Sequence, residues 1–219
     1  MIATSYLTET PGMSTKPGGI QTKGCGVEAM GLSGLFKRSK LTDKAHSLYL
    51  AVVEQARQPV FYSRYGAPDT LDGRFEMILI HAVLLLRRLR DEGQAGSDLG
   101  QVMFDVMIDD MDQSLREMGV GDLAVGRRVK AMARAFFGRA AAYEAGLSAA
   151  DDDASQALIA ALRRNLFGTV TVGDGQVAAM AGYMREVSAR LGEQPGTELL
   201  AGAVLFGDAP AEVGGEDDA

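Results

Sequence analysis

Two histidines, one cysteine and 29 acidic side chains bound the chemistry this 219-residue chain can perform. A helical chain carrying His81, Glu76 and several aspartates invites comparison with di-iron bundles. Those sites need two Glu-x-x-His pairs and two further carboxylates, which two histidines embedded in other contexts do not supply. A mononuclear metal site using His81 with Asp105 or Asp109 is the remaining metal reading, and a lone histidine on an apolar helix is more commonly a hydrogen-bonded core residue. No CxxC or HExxH occurs. Gly24 and Gly26 begin a GxG pattern, but Ala29 stands at the third glycine position, and no GxxxxGK[ST] loop exists. Gly31, Leu32, Ser33 and Gly34 would need glycine in place of Leu35 to form a nucleophile elbow. The expectation is therefore a protein with no catalytic residues, no metal and no cofactor.

Charge patterning is more informative. Arg74, His81 and Arg88 recur at seven-residue steps, which sets them on one side of a helix as a polar stripe. The next helical segment gathers Asp98, Asp105, Asp109, Asp112 and Arg116 into one arc, with Phe104, Met107, Ile108, Met111, Leu115 and Met118 opposite. The plain reading is a solvated acidic face; the sharper one is a recognition face, or a polar seam paired with the Arg74–His81–Arg88 stripe. The segment after that is basic: Arg127, Arg128, Lys130, Arg134 and Arg139 occur between Gly126 and Tyr143 without a carboxylate. Arg128 and Arg139 share one flank of its apolar stripe, with Arg127, Lys130 and Arg134 on the other. These five side chains either face the acidic helix or offer a positive patch to an acidic segment, RNA or anionic headgroups. A third feature is the run FYSRYGAPDTLDGRF, Phe61 to Phe75. Asp69 or Thr70 can cap the following helix and Asp72 lies in its first turn, so Tyr62, Arg64 and Tyr65 are the candidates for partner contacts.

These residues must be positioned by helices. From Leu41 onward apolar residues recur at intervals of three and four, and strict alternation never persists, which predicts an all-α, single-domain bundle of about six helices. The expected helices are Thr42–Arg57, Leu71–Arg90, Asp98–Met118, Leu123–Ala145, Asp153–Phe167 and Gln176–Leu191, with Leu199–Phe206 packing back. Gly93 and Gly96 read as stops after the second helix. Residues 1–40, rich in Gly, Pro, Ser and Thr, read as disordered, with Met30 an alternative start; 41–207 form the helical domain and 208–219 a disordered acidic tail. Length fits one domain. The net charge of -7 disfavours DNA or wholesale membrane binding. A single cysteine, Cys25, precludes an internal disulfide and fits a reducing compartment. The apolar run Met77–Leu86 is too short to span a bilayer.

The stretches FYSRYGAPDTLDGRFEMILIHAVLLLRRL and FDVMIDDMDQSLREMGVGDLAVGRRVKAMARAFFGRAAAY resemble the ubiquinol-cytochrome c chaperone family, assembly factors of respiratory complex III. The resemblance covers about Ala45 to Leu147 and is most specific at Asp110–Asp122. It implies a non-catalytic α-helical protein that binds newly made cytochrome b, with a small helical partner subunit and, in mitochondrial members, a ribosome contact. The absence of a transit peptide and the Ala-, Gly- and Arg-rich composition suggest a bacterial member, cytoplasmic and peripheral to the inner membrane. Two other classes remain open on the residues themselves: a metal-dependent helical-bundle enzyme, and an RNA or membrane-surface adaptor using the basic helix.

Overall fold

The computed structural model describes residues 32–148 and 152–210. Among them run α1 (Leu32–Ala56), α2 (Pro59–Ser63), α3 (Leu71–Arg90), α4 (Gly93–Glu117), α5 (Asp122–Leu147), α6 (Asp152–Asn165), α7 (Asp174–Glu193) and α8 (Gly196–Leu199). None of the described residues is in a strand, so the all-α bundle expected from periodicity is the fold. α3 is its axis and packs against α1, α4, α5 and α7. From Met77 to Leu85 only Ile78 is not fully buried, as an apolar run without a polar face demands.

Local signals fix where α3 begins. Thr70 is its N-cap and accepts the Gly73 amide at 3.1 Å, Asp72 sits in the first turn, and Arg87, Arg88 and Arg90 crowd the last. Gly73 has a packing reason as well. A Cβ there would lie 2.0 Å from the Pro68 carbonyl oxygen, so the loop can fold against the helix only at glycine.

The fold extends past the expected limits at both ends. α1 begins at Leu32, so residues 32–40, read as disordered from composition, are helical. Leu32, Leu35 and Phe36 already carry the helical spacing, and one Gly34 costs about 1 kcal/mol, too little to end a 25-residue helix. The expectation for residues 1–31 lies outside the described residues. α4 likewise starts at Gly93 instead of Asp98. Gly93 takes φ +64° at the reversal from α3, while Gly96 lies within α4, where the helix passes so close to the end of α3 that a Cβ would fall 1.9 Å from the Leu89 carbonyl oxygen.

At the other end, residues 203–210 form a strap without helix. Side chains of distant elements meet its carbonyls and those just before it. Lys44 donates to Leu200 at 2.8 Å, Arg190 to Phe206 at 2.6 Å, Gln55 to Gly207 at 2.9 Å and Tyr65 to Pro210 at 3.2 Å. Ala209 is buried. Residues 208–210 therefore belong to the fold and not to a disordered tail, because their main chain is held; residues 211–219 lie outside the described residues.

Candidate interaction surfaces and the buried polar seam

The Arg74–His81–Arg88 stripe follows one side of α3, but it does not meet the acidic arc of α4. Its three members do three separate things. His81 is wholly buried, with Nδ1 2.7 Å from the Met77 carbonyl oxygen and Nε2 2.7 Å from the Tyr183 hydroxyl of α7. A carbonyl can only accept, so Nδ1 carries the proton and Nε2 accepts from Tyr183. Gln55 of α1 in turn donates to the Tyr183 oxygen at 3.0 Å. Burial pushes the His81 pKa down to about 4, against a smaller opposing effect of the Met77 carbonyl, so the ring is neutral at physiological pH. Phe61, Phe206 and Tyr183 pack edge-on around it, at centroid separations of 5.4 to 5.7 Å. Nothing in this arrangement leaves an imidazole nitrogen for a metal.

Arg88, also buried, caps a neighbouring helix. Its Nε donates to the Leu191 carbonyl at 2.8 Å and its Nη2 to that of Gln194 at 2.9 Å, while Glu92 balances the charge at 2.5 Å. A cation thus sits on the negative end of α7 and uses the fork of a guanidinium to satisfy two terminal carbonyls. Arg74 is in solvent, paired with Asp69 at 2.6 Å and lying over the Tyr62 ring.

The acidic arc is a solvated face. Asp98 and Asp105 accept from glutamines one turn earlier, Asp109 is exposed, and Asp112 pairs with Arg116, which also reaches Asp122. The opposite stripe is core: Met103, Met107, Met111 and Leu115 are buried, whereas Met118 at the end of the helix is half exposed.

The basic helix α5 divides its charges. Arg127, Arg128, Lys130 and Arg134 are exposed and form no ion pair among the described residues. Arg139, expected to share a free flank with Arg128, instead turns inward and binds the buried Glu76 of α3 at 2.7 Å. Burial raises the Glu76 pKa to about 7, Arg139 opposes that rise and Asp72 adds to it. Glu76 Oε2 and Arg139 Nε have no hydrogen-bond partner among the described residues. Sequence reasoning missed this pair. Glu76 follows a helix start where a carboxylate is unremarkable, and only the crossing of α3 and α5 brings it to Arg139.

Of the loop residues proposed as contact anchors, Arg64 alone is exposed. Tyr65 is buried beside Phe61 and Tyr183, and its hydroxyl holds the C-terminal strap. Tyr62 is half-buried and donates to the Ala56 carbonyl at 2.8 Å. These two tyrosines anchor the fold, because a loop threaded between α1 and α7 needs its aromatic side chains there.

A feature absent from the sequence reading lies between α3, α4 and α5. Phe104, Phe136 and Phe137, with centroids 5.0 to 5.6 Å apart, line a small apolar groove of about 60 Å³ together with Val83 and Leu86 of α3. Ala140 and Ala141 also line it, a Cβ at Gly100 would lie 3.0 Å from Leu86 so that this glycine lets α4 approach α3, and Arg90 of α3 pairs with Glu144 of α5 among the lining residues. No signal within any one helix could have found it.

No group of three or more potential metal ligands occurs among the described residues, and no helix among them is long and apolar enough to cross a membrane. Comparison with known proteins gives a consistent picture. A family described as Ubiquinol-cytochrome C chaperone matches residues 63–206. Proteins called ubiquinol-cytochrome c reductase complex assembly factor 1 from Mus musculus and Homo sapiens are 29% and 28% identical over 176 residues, 80% of this chain. Those matches span only 58% of the mouse and human proteins. A crystal structure titled as the Cbp3 homolog from Brucella abortus is 36% identical, with a TM-score of 0.71, covering 81% of this chain and 97% of its own.

Proposed function

The chain belongs to the ubiquinol-cytochrome c chaperone family, and on that premise we propose that it promotes assembly of ubiquinol-cytochrome c reductase, complex III, by holding newly made cytochrome b. The observation that carries this reading is the match of the family to residues 63–206, which span most of the bundle. A holding role asks for surface and not for a reaction centre. The four exposed cations on α5, which form no ion pair among the described residues, and the apolar groove farther along the same helix supply surface of both kinds. Holding of this sort is equilibrium binding that competes with aggregation of the client, and release follows handover to the growing complex. The same reading includes a small helical partner subunit, a ribosome contact, and action in a bacterium at the cytoplasmic surface of the inner membrane.

The test is affinity capture of the tagged full chain from membranes actively synthesising cytochrome b, together with a deletion strain. Cytochrome b is expected in the captured fraction, and assembled complex III is expected to fall in the deletion while the cytochrome b transcript stays intact. Normal complex III in that strain would overturn the reading.

A further inference from the structure

We propose that one face of α5, with the turn before it, is the surface by which this chain lies on an anionic lipid bilayer. Leu123, Arg127, Lys130 and Arg134 recur at spacings of four, three and four, which sets them within an arc of about 60° along one face of the helix. Val125, Phe136 and Tyr143, the buried side chains of α5, lie on the opposite face. The stripe therefore points away from the bundle, and all four of its residues are exposed. No carboxylate occurs from Leu123 to Tyr143, and Arg127, Lys130 and Arg134 form no ion pair among the described residues. The carboxylates around the turn are already engaged: Arg116 bridges Asp112 and Asp122, and Gln113 donates to Glu117.

Charge alone fits any polyanion, and the apolar end of the stripe is what selects lipid. Leu123 is 92% exposed, and Met118, on the other side of the turn, is 50% exposed. Single exposed hydrophobic side chains are ordinary on a protein surface. Here two of the six large ones exposed among the described residues flank the same short turn, and one of them heads a row of three cations, the whole about 16 Å long. A bilayer interface uses both parts of such a row. The leucine and methionine reach past the headgroups to the acyl chains, and the cations stay with the phosphates. A nucleic-acid strand has no place for an aliphatic tip and is gripped by cations interleaved with aromatic rings, and no aromatic residue occurs from Leu123 to Arg134. The inference rests on the proposed action at a membrane and names the surface that meets it.

The experiment is co-sedimentation of the purified full chain with vesicles of phosphatidylcholine, with and without phosphatidylglycerol, at moderate salt, where charges on other faces of the protein are screened. Binding is expected only where phosphatidylglycerol is present. Lys130→Glu and Arg134→Glu are each expected to lower it at least about fivefold. Arg128→Glu makes the same change of charge at an exposed position off the stripe and should lower it less than about twofold. Leu123→Ser keeps every charge and should lower it about tenfold. All four replaced side chains are exposed, so melting temperatures should match the parent. No binding to anionic vesicles, equal losses from Arg128→Glu and Lys130→Glu, or a Leu123→Ser variant that binds like the parent overturns the proposal. Displacement from the vesicles by polyuridylate at equal phosphate concentration overturns it too, by assigning the stripe to RNA. Such a failure removes the lipid surface alone, because the assembly role is read independently from complex III in the deletion strain.

Discussion

Arg139 on α5 binds Glu76 on α3 at 2.7 Å, and this bond turns one of five basic side chains, half-buried, toward a buried carboxylate while the other four stay in solvent. Reversal at two positions of one helix should therefore have unequal effects. Arg139→Glu sets a second carboxylate against a buried one and should cost about 3 to 5 kcal/mol in urea denaturation. Arg128→Glu should change stability by no more than about 0.5 kcal/mol. A double reversal loses stability entirely through position 139, so it cannot serve as a clean test of the surface.

Glu76 and His81 pull stability in opposite directions with pH. Glu76 has a raised native pKa of about 7 against an ordinary 4.5, so the native state holds more protons across that window. Its effect makes the protein less stable as pH rises from about 4.5 to 7. His81 has a depressed native pKa of about 4 against 6.5, so the unfolded state holds more protons between those values. Its effect removes stability as pH falls from about 6.5 to 4. The two largely offset each other between pH 4.5 and 6.5. Glu76→Gln should expose the acid sensitivity due to His81, and His81→Gln should leave stability rising toward acid. Urea midpoints at half-unit pH intervals read both.

Tyr183→Phe leaves His81 Nε2 without its donor and Gln55 with one acceptor fewer. The expected loss is about 1 to 3 kcal/mol with helical content unchanged. Combined with His81→Gln, the two losses should fall short of additivity by at least about 0.5 kcal/mol, since both break one bond. Thermal denaturation of the four members of that cycle provides the check.

Arg88→Lys keeps the charge at the end of α7 but loses the fork that spans Leu191 and Gln194. Amide hydrogen exchange should quicken at the end of α7 and through α8, with the centre of α3 unaffected.

How far the sequence could be read depended on whether a property is local to one helix. Burial of the Met77–Leu86 run, a cap at Asp69 or Thr70 and a solvated face at Asp105 and Asp109 follow from spacing and composition; the structure buries Met77 to Leu85 except for Ile78, caps with Thr70 and exposes both aspartates. Interhelical facts were out of reach. Seven-residue steps place Arg74, His81 and Arg88 on one side, yet nothing in the spacing says that this side meets α7 and not α4. Tyr65 has the composition of an interface anchor, and only the path of residues 203–210 makes it an internal one. The groove escaped notice because its lining comes from three helices, α3, α4 and α5, and no spacing within any one of them reveals it.

The strap that includes Pro210 also sets a timetable for the chain's own synthesis. Gln55, Tyr65 and His81 are made early, but their partners Gly207, Pro210 and Tyr183 emerge more than 100 residues later. Until then the polar ends of an aromatic cluster have no mates, and α3 lacks the helix and the closing segment that cover one of its sides. The fold is thus completed late, when residues 203–210 are laid across α1 and the segment after α2. A truncation just before Phe206 should remove that closing step and leave the earlier helices loosely held, which protease sensitivity of stalled chains of graded length would reveal as a sharp change near residue 210.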